Sequence, residues 1–553
     1  MTQTPPMTQT RRFATLAATA VVPLAVLGVF FVLPVSGMVG RGFVQEGHLD
    51  IGGVLDVLRR PEIQRAVWFT VWTSTVATLV AGALGLPAAY VLHRLAIPGR
   101  TWFRAVLVIP FVLPTVVVGV AFELVIGVNG PLGFLGVDGS PIAIVAGLVF
   151  FNTAVVIRIV GGAWESLDPR PAEAAAALGA SPRHVLRDVT LPALRPAIVS
   201  ASTVVFLFCA TAFGIVLTLG GLRYSSVETQ IYLLTTNLLD LQAAAALSVL
   251  QLLVVTLLLV AAARARRTPD ATVARSRARL RRPGPGDVPA LLATAVLLVL
   301  VVLPLASLVV ASLRVDGTWS LANYRALQTP GSHQALLVPA SDAVANSMRI
   351  AVDATWMSLL LGLAVAAVVT RRSRTAPERQ VRGALDGLFM LPLGVSAVTL
   401  GFGFLITLGR PPLDLRDSPL LIPVAQALVA LPLVVRVLVP VLSGIDDRLR
   451  QAAATLGASP FRALLVVDLP VMFKPLLAAA GFAFACSLGE FGATSFLVRD
   501  DRPTLPVVIY RLIGHPGDLN YGMALAGSVV LGATTAAVML VVERLRVPSV
   551  GSF

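Results

Sequence analysis

The 553-residue sequence has a single lysine, Lys474, two cysteines and five histidines, and only 13% of its residues are charged. Each scarcity excludes something. A soluble domain carries roughly 25% charged residues, so an ordinary water-soluble protein is ruled out. Two thiols, Cys209 and Cys486, both in apolar runs, cannot build a disulfide framework or a four-cysteine zinc site. They read as small buried hydrophobes. His48, His93, His184, His333 and His515 are scattered without ligand spacing, so no metal site is expected in the chain. The one lysine is followed by Pro475, and no Gly-x-x-x-x-Gly-Lys-Ser/Thr loop is present to cradle phosphates. The chain is therefore expected to bind neither ATP nor a cofactor itself.

What the sequence has in abundance is apolar. Hydrophobic residues make up 56% and the mean hydropathy is +0.85, which excludes intrinsic disorder. A membrane-spanning helix needs about 20 apolar residues. Runs of that length fall near 13–35, 66–92, 103–128, 141–164, 197–220 and 241–263, and again near 288–312, 343–369, 384–408, 419–441, 475–498 and 522–542. The expected fold is an all-α integral membrane protein of about 12 transmembrane helices in two six-helix halves. Arg11 and Arg12 precede the first run as they would in a signal peptide, but the run is too long for a signal core and lacks an Ala-x-Ala site. It reads as a helix. The net charge of +14 falls mainly on segments that are cytoplasmic when the N-terminus is inside, so both termini are expected in the cytoplasm.

Residues 264–287 divide the chain into a first domain, 1–263, and a second, 288–553. This segment holds Arg264, Arg266, Arg267, Arg275, Arg277, Arg279, Arg281 and Arg282, followed by Pro-Gly-Pro-Gly. It reads as a basic, flexible cytoplasmic linker and topology anchor beside anionic lipid. The two halves align at an offset of 278. Glu-Ala-Ala-Ala-Ala-Leu-Gly-Ala-Ser-Pro at 173–182 matches Gln-Ala-Ala-Ala-Thr-Leu-Gly-Ala-Ser-Pro at 451–460. Leu191-Pro192, Arg158 and Phe213-Gly214 match Leu469-Pro470, Arg436 and Phe491-Gly492. With an even helix count per half, this is a parallel repeat with a pathway expected between the copies.

The repeated segment lies on the expected cytoplasmic side, in loops near 165–195 and 443–474. Its alanines favour helix, Gly179 and Gly457 allow a sharp turn, and Ser181-Pro182 and Ser459-Pro460 fit a cap and a helix start. Two short helices meeting at an exposed corner suit insertion into a groove on a soluble partner. The pattern Glu-Ala-Ala, three residues, Gly, and a hydrophobic-Pro pair farther on resembles the signature loop of ATP-binding-cassette importer permeases, once per half. The resemblance implies a type I importer fold in a bacterial plasma membrane. It also implies two copies of a cytoplasmic ATPase, which uses the ATP, and an extracytoplasmic substrate-binding protein. By the same resemblance Glu173, Ala174, Ala175 and Gly179 couple to one ATPase copy, and Gln451, Ala452, Ala453 and Gly457 to the other. Gln451 departs from the acidic pattern, so the two docking sites are expected to be unequal. The fused pair of six-helix domains, with Ser-Leu-Gly-Glu-Phe-Gly-Ala at 487–493 and Asp500 to Pro506 beyond it, is similar to ferric-iron and thiamine importer permeases. This places ferric iron first as cargo and thiamine close behind.

Three further residues are pathway candidates: Glu490, because an ionisable group within the membrane is a functional hypothesis by default, Asn152 in the fourth helix, and Glu123. The alternative for Glu490 is a packing carboxylate bonded to Ser487 or to backbone. Arg349 and Asp353, four apart, are expected to pair, and Arg499, Asp500, Asp501 and Arg502 form either a contact for the binding protein or a solvated turn. The rival overall reading is an ion-coupled 12-helix secondary transporter, which accounts for the topology but not for the duplicated loop. A membrane-embedded enzyme would need clustered His, Asp or Glu at one depth, and the sequence shows none.

Overall fold

The computed structural model describes residues 20–45, 47–221, 223–265, 280–370, 376–389, 391–411 and 413–545. The chain is helical almost throughout, and the described strands are two short hairpins, Val44–Gln45 with His48–Leu49 and Arg314–Val315 with Thr318–Trp319. Ten described helices are long and apolar enough to cross a membrane: Ala20–Phe43, Pro61–Arg94, Pro141–Ser166, Pro182–Ala210, Leu241–Ala261, Pro285–Ser312, Ala340–Thr370, Leu421–Gly444, Leu465–Leu488 and Asp518–Val542. An eleventh is a pair, Arg100–Val112 and Thr115–Ile126, bent by 109°. Helices satisfy their own backbone groups, which is what a hydrocarbon surrounding demands. Large apolar side chains such as Leu79, Leu253 and Leu360 lie outward.

Two expected spans are broken. The 103–128 run changes from α-helix to a 3-10 turn at Ile109–Val112 and restarts at Thr115. The 384–408 run likewise gives Ala376–Phe389, a 3-10 turn at Leu391–Gly394, and Ala397–Thr407. Pro110, Pro114 and Pro392 carry no N–H and clash with the preceding helical turn. Hydropathy registers none of this. The fifth helices also differ from the expected 197–220 and 475–498. They end at Ala210 and Leu488, and the apolar remainder folds as separate short helices, Gly214–Gly220 and Thr494–Leu497. On their other side each is entered through a π-helical turn, Val185–Thr190 and Leu464–Asp468. Leu191-Pro192 and Leu469-Pro470 follow directly. A proline ring crowds the carbonyl four residues back in a tight α-turn, and the wider π-turn relieves that crowding.

The chain packs as two compact units that cut across the sequence halves. The first holds Asp50–Ser341 and Leu505–Ala536. Its core is the crossing of helices 61–94, 141–166 and 191–210, filled by Leu92, Leu148, Phe150, Val160 and Val205. Helix 285–312, from the second sequence half, packs here against 61–94 and 115–126. The second unit holds Asp342–Thr504 with residues to Leu49 and from Ala537. Helices 421–444 and 469–488 form its core around Ala430, Val434, Leu438 and Ala479. Helix 20–43, from the first sequence half, packs here on 397–407. The Phe30 and Phe404 rings meet tilted, with centroids 6.0 Å apart, and Gly37 lies so close to Thr407 that a Cβ there would sit 2.0 Å from its methyl. Small residues of this kind let membrane helices approach.

Residues 266–279 of the linker, with Arg266, Arg267, Arg275, Arg277 and Arg279, lie outside the described residues. Its last stretch is tied down. Arg281 donates its N–H to Arg94 O at 3.0 Å and accepts from Ala96 N–H at 2.8 Å. Its guanidinium also bonds Tyr90 and Asp287. Partial burial opposes charging of Arg281, but Tyr90 and Asp287 outweigh it and raise its pKa.

Candidate functional site

Each unit carries one copy of the repeated corner, and the two are built alike. In the first unit Asp168 Oδ1 accepts the Arg170 N–H at 3.1 Å, opening helix Arg170–Ala177. In the second Asp446 Oδ1 accepts the Arg448 N–H at 3.0 Å, opening Asp447–Thr455. Both helices end the same way. Gly179 N–H donates to Ala176 O at 3.0 Å and Ala180 N–H to Ala175 O at 3.1 Å. Gly457 N–H donates to Ala454 O and Ala458 N–H to Ala453 O, both at 3.0 Å. This doubled bond is a Schellman end, which needs a left-handed residue, and Gly179 and Gly457 have φ of +87° and +81°. Ala174 and Ala452 are exposed, while Ala175 and Ala453 are half-buried. Glu173 and Gln451 occupy equivalent exposed positions, and an acid in the first turn of a helix meets the positive end of its dipole.

The corners differ after the turn. Ser459 Oγ accepts the Arg462 N–H at 3.3 Å, as expected of a cap. Ser181 Oγ instead meets His184 Nδ1 at 2.7 Å. In the second unit Arg450 Nε also pairs with Asp468 Oδ1 at 2.9 Å, tying the corner helix to the π-turn. The positions 278 earlier are Ala172 and Thr190, which can form no such pair.

Each unit also brings two breaks together. The restarted helix 115–126 packs on 214–220, and 397–407 packs on 494–497. Irregular backbone at membrane depth is tolerated only where protein or a water-filled cavity surrounds it. Glu490 lies at the second of these crossings, 6% exposed. Its Oε1 accepts Ala493 N–H at 2.7 Å and its Oε2 accepts Thr494 N–H at 3.0 Å and the Thr494 hydroxyl. Gln426 Nε2 donates to Thr494 Oγ1 at 3.2 Å, and the Ser487 hydroxyl donates to Gln426 Oε1. Glu490 thus caps the short helix 494–497 within a buried polar network.

Asn152 is also buried, donating from Nδ2 to Leu148 O at 3.0 Å and to Cys209 Sγ at 3.3 Å. Glu123 is half-buried near the end of the restarted helix. The expected Arg349–Asp353 pair gives way to a hydrogen bond from the Trp356 indole to Asp353 at 3.2 Å. Arg499 bonds Asp501 at 3.1 Å and also Asp417, making the 499–502 segment a tied turn. Sequence reasoning missed Asp168 and Asp446, although both sit at the repeat offset. It also missed Gln426 and Thr494, and Glu228, which is fully buried in the first turn of helix Val227–Thr236 and bonded to Gln251; single polar residues give no periodic signal.

Duplicated corners on a membrane-spanning scaffold are the arrangement that the resemblance to importer permeases implies. Residues 81–268 match the family described as binding-protein-dependent transport system inner membrane component. The chain carries a permease domain of that ATP-binding-cassette importer family and is a multi-pass protein of the bacterial plasma membrane. Among named relatives it is 27% identical to the thiamine transport system permease protein of Brucella abortus, over 87% of each chain. It is 27% identical to the thiamine transport system permease protein of Escherichia coli, over 81% of this chain and 83% of that one. It is 26% identical to the ferric transport system permease protein of Actinobacillus pleuropneumoniae, over 92% of this chain and 75% of that one.

Proposed function

We propose that this chain forms the membrane pathway of an importer whose ATP hydrolysis takes place on separate subunits, docked at the corners around Gly179 and Gly457. The observation that carries this reading is the duplicated corner: the same capping acid, the same Schellman end and the same left-handed glycine in two places. A secondary transporter needs no such pair. In the proposed cycle an extracytoplasmic protein delivers the solute. Nucleotide-driven movement of the ATPases then shifts the corners, each ATPase state binding one permease conformation better than the other. Glu173, Ala174 and Ala175, with Gln451, Ala452 and Ala453, form the helical faces that carry the push.

For the cargo, the relatives support thiamine, a small organic cation, ahead of ferric iron, the reverse of the order expected above. Several thiamine permeases align over most of both chains, whereas the ferric permease extends well beyond the aligned part. Of the three pathway candidates, Glu123 is the one with part of its side chain open, and it is proposed to meet the solute. Asn152 and Glu490 are proposed to hold the broken helices in shape. The test is uptake of labelled thiamine and labelled ferric iron by cells lacking the chain and by cells given it back. Restored thiamine uptake is expected. Restored iron uptake alone would overturn the cargo assignment, and uptake that survives loss of ATP hydrolysis would overturn the importer reading.

A further inference from the structure

We infer that Leu178 and Leu456 are the apolar anchors of the two corners, each seated in a hydrophobic, acid-rimmed pocket on the ATPase subunit. The inference rests on the docking reading above and names the residues and pocket chemistry that reading leaves open. Leu178 is 90% exposed and Leu456 89%, more than any other leucine among the described residues. Both stand at the helix C-cap, one residue before the left-handed glycine.

The fold gives neither leucine a reason to be there. A Schellman end draws its apolar contact from the residues on either side of the cap, here Ala175 with Ala180 and Ala453 with Ala458, all four half-buried. At a helix C-terminus a basic side chain would be favoured by the dipole. A fully projecting leucine instead leaves apolar surface in water, which is unfavourable. Yet both copies keep it, while the polar neighbour changes from Glu173 to Gln451 and the alanine at 177 becomes Thr455.

Charge indicates the occupant. An exposed arginine precedes each leucine, Arg170 and Arg448, and another follows it, Arg183 and Arg462. A pocket accepting the leucine between them is best rimmed by carboxylates. Asp168 and Asp446 are turned onto the N–H groups of Arg170 and Arg448, which leaves an arginine on either side of each leucine to meet the partner. Seated in a desolvated pocket, each leucine would remove from water the apolar surface that the isolated corner exposes.

The test places a photo-crosslinking amino acid at 178, at 456, and for comparison at 174 and 452, in the full chain in native membranes. Mass spectrometry then identifies the attached peptides. Adducts from 178 and 456 are expected on one region of one polypeptide that carries a Gly-x-x-x-x-Gly-Lys-Ser/Thr loop. L178D and L456D are each expected to weaken co-purification of that polypeptide at least tenfold. L178M and L456M should stay within twofold, and all four should leave the chain's thermal stability unchanged. ATPase adducts from 174 and 452 but not from 178 and 456, or Asp variants that keep the ATPase, would remove the anchors and leave the docking reading standing. No ATPase adduct from any of the four positions would overturn both.

Discussion

The corners at 168–184 and 446–462 are near copies, whereas the helix crossings a few turns away are not. Gln426, Ser487, Glu490 and Thr494 form a hydrogen-bonded network in the second unit. The positions 278 earlier are Leu148, Cys209, Ala212 and Val216, of which Leu148, Cys209 and Val216 are buried in the apolar core of the first unit. A duplicated chain has thus kept the geometry of its two exposed turns and let its two buried crossings diverge into opposite chemistries. The corner must satisfy something outside the chain. The crossing needs only to be internally consistent, and two solutions meet that condition. A fully satisfied polar network rigidifies what it joins, and a partly satisfied one is worse than an apolar core.

The largest effect is expected from breaking the polar solution without supplying the apolar one. E490A leaves the N–H groups of Ala493 and Thr494 and the Thr494 hydroxyl without their acceptor. A buried donor left without its acceptor costs about 1–3 kcal/mol, and three are orphaned here, so the thermal unfolding temperature of the detergent-solubilised chain should fall sharply. The fourfold variant Q426L/S487C/E490A/T494V installs the set found in the first unit and removes all the polar side chains together, so that of the capped groups only the backbone N–H groups of residues 493 and 494 remain. It is expected to recover most of that loss, since replacing a whole buried network by apolar groups is often close to neutral. A fourfold variant as unstable as E490A would show that the two crossings are not alternative solutions of one problem.

Next in size are the corners. A side chain at φ near +80° costs about 1–2 kcal/mol, so G179V and G457V should each misplace the corner and lower uptake by about tenfold. The folding temperature should fall only by the cost of that strain, because a Cβ at either glycine meets no atom within 4 Å and adds no clash. If the corners are equivalent, the two variants give equal losses. A larger loss from one would make Glu173 against Gln451 the first difference to exchange.

Much of this was legible in the sequence because it repeats or because it is periodic. The offset of 278 located both corners and their glycines, and apolar runs located most of the spans. The breaks at Ile109–Val112 and Leu391–Gly394 were hidden because a 3-10 turn in a membrane has the same hydropathy as a helix, although Pro110 and Pro392 marked them. The capping role of Glu490 was present only as an alternative, since a buried acid that lines a path and one that closes a helix look alike until the partners are seen. The exchange of helices 20–43 and 285–312 between packing units left no trace in composition. Both are simply apolar, and what selects their partners is close fit, such as Gly37 against Thr407.

Smaller effects should separate the corners further. R450A removes the pair with Asp468 that the first corner lacks. Arg450 is about one-third exposed, so the expected loss is about 1 kcal/mol or less. It should appear as weaker ATPase retention at the second corner alone, read from crosslinks at 456 compared with 178. Equal weakening at both would mean that the corners communicate.

The smallest expected effect belongs to a pair confined to the first unit, Arg60 Nη1 to Asp240 Oδ2 at 2.7 Å. Partial burial would raise the Asp240 pKa, but the Ala243 N–H and the Arg60 guanidinium outweigh it and hold the carboxyl below its ordinary range. A carboxyl depressed in the folded state stabilises fully above its unfolded pKa, near 4. That contribution fades as the pH falls through the lower folded value. Both partners are partly exposed, so solvent screening keeps it below about 1 kcal/mol. R60Q should therefore unfold slightly earlier than the parent chain at pH 7, and the gap should close on acidification below pH 4 as Asp240 takes up its proton. A gap that stays constant across that range would mean that Arg60 acts by packing against the 240–243 turn and not by charge.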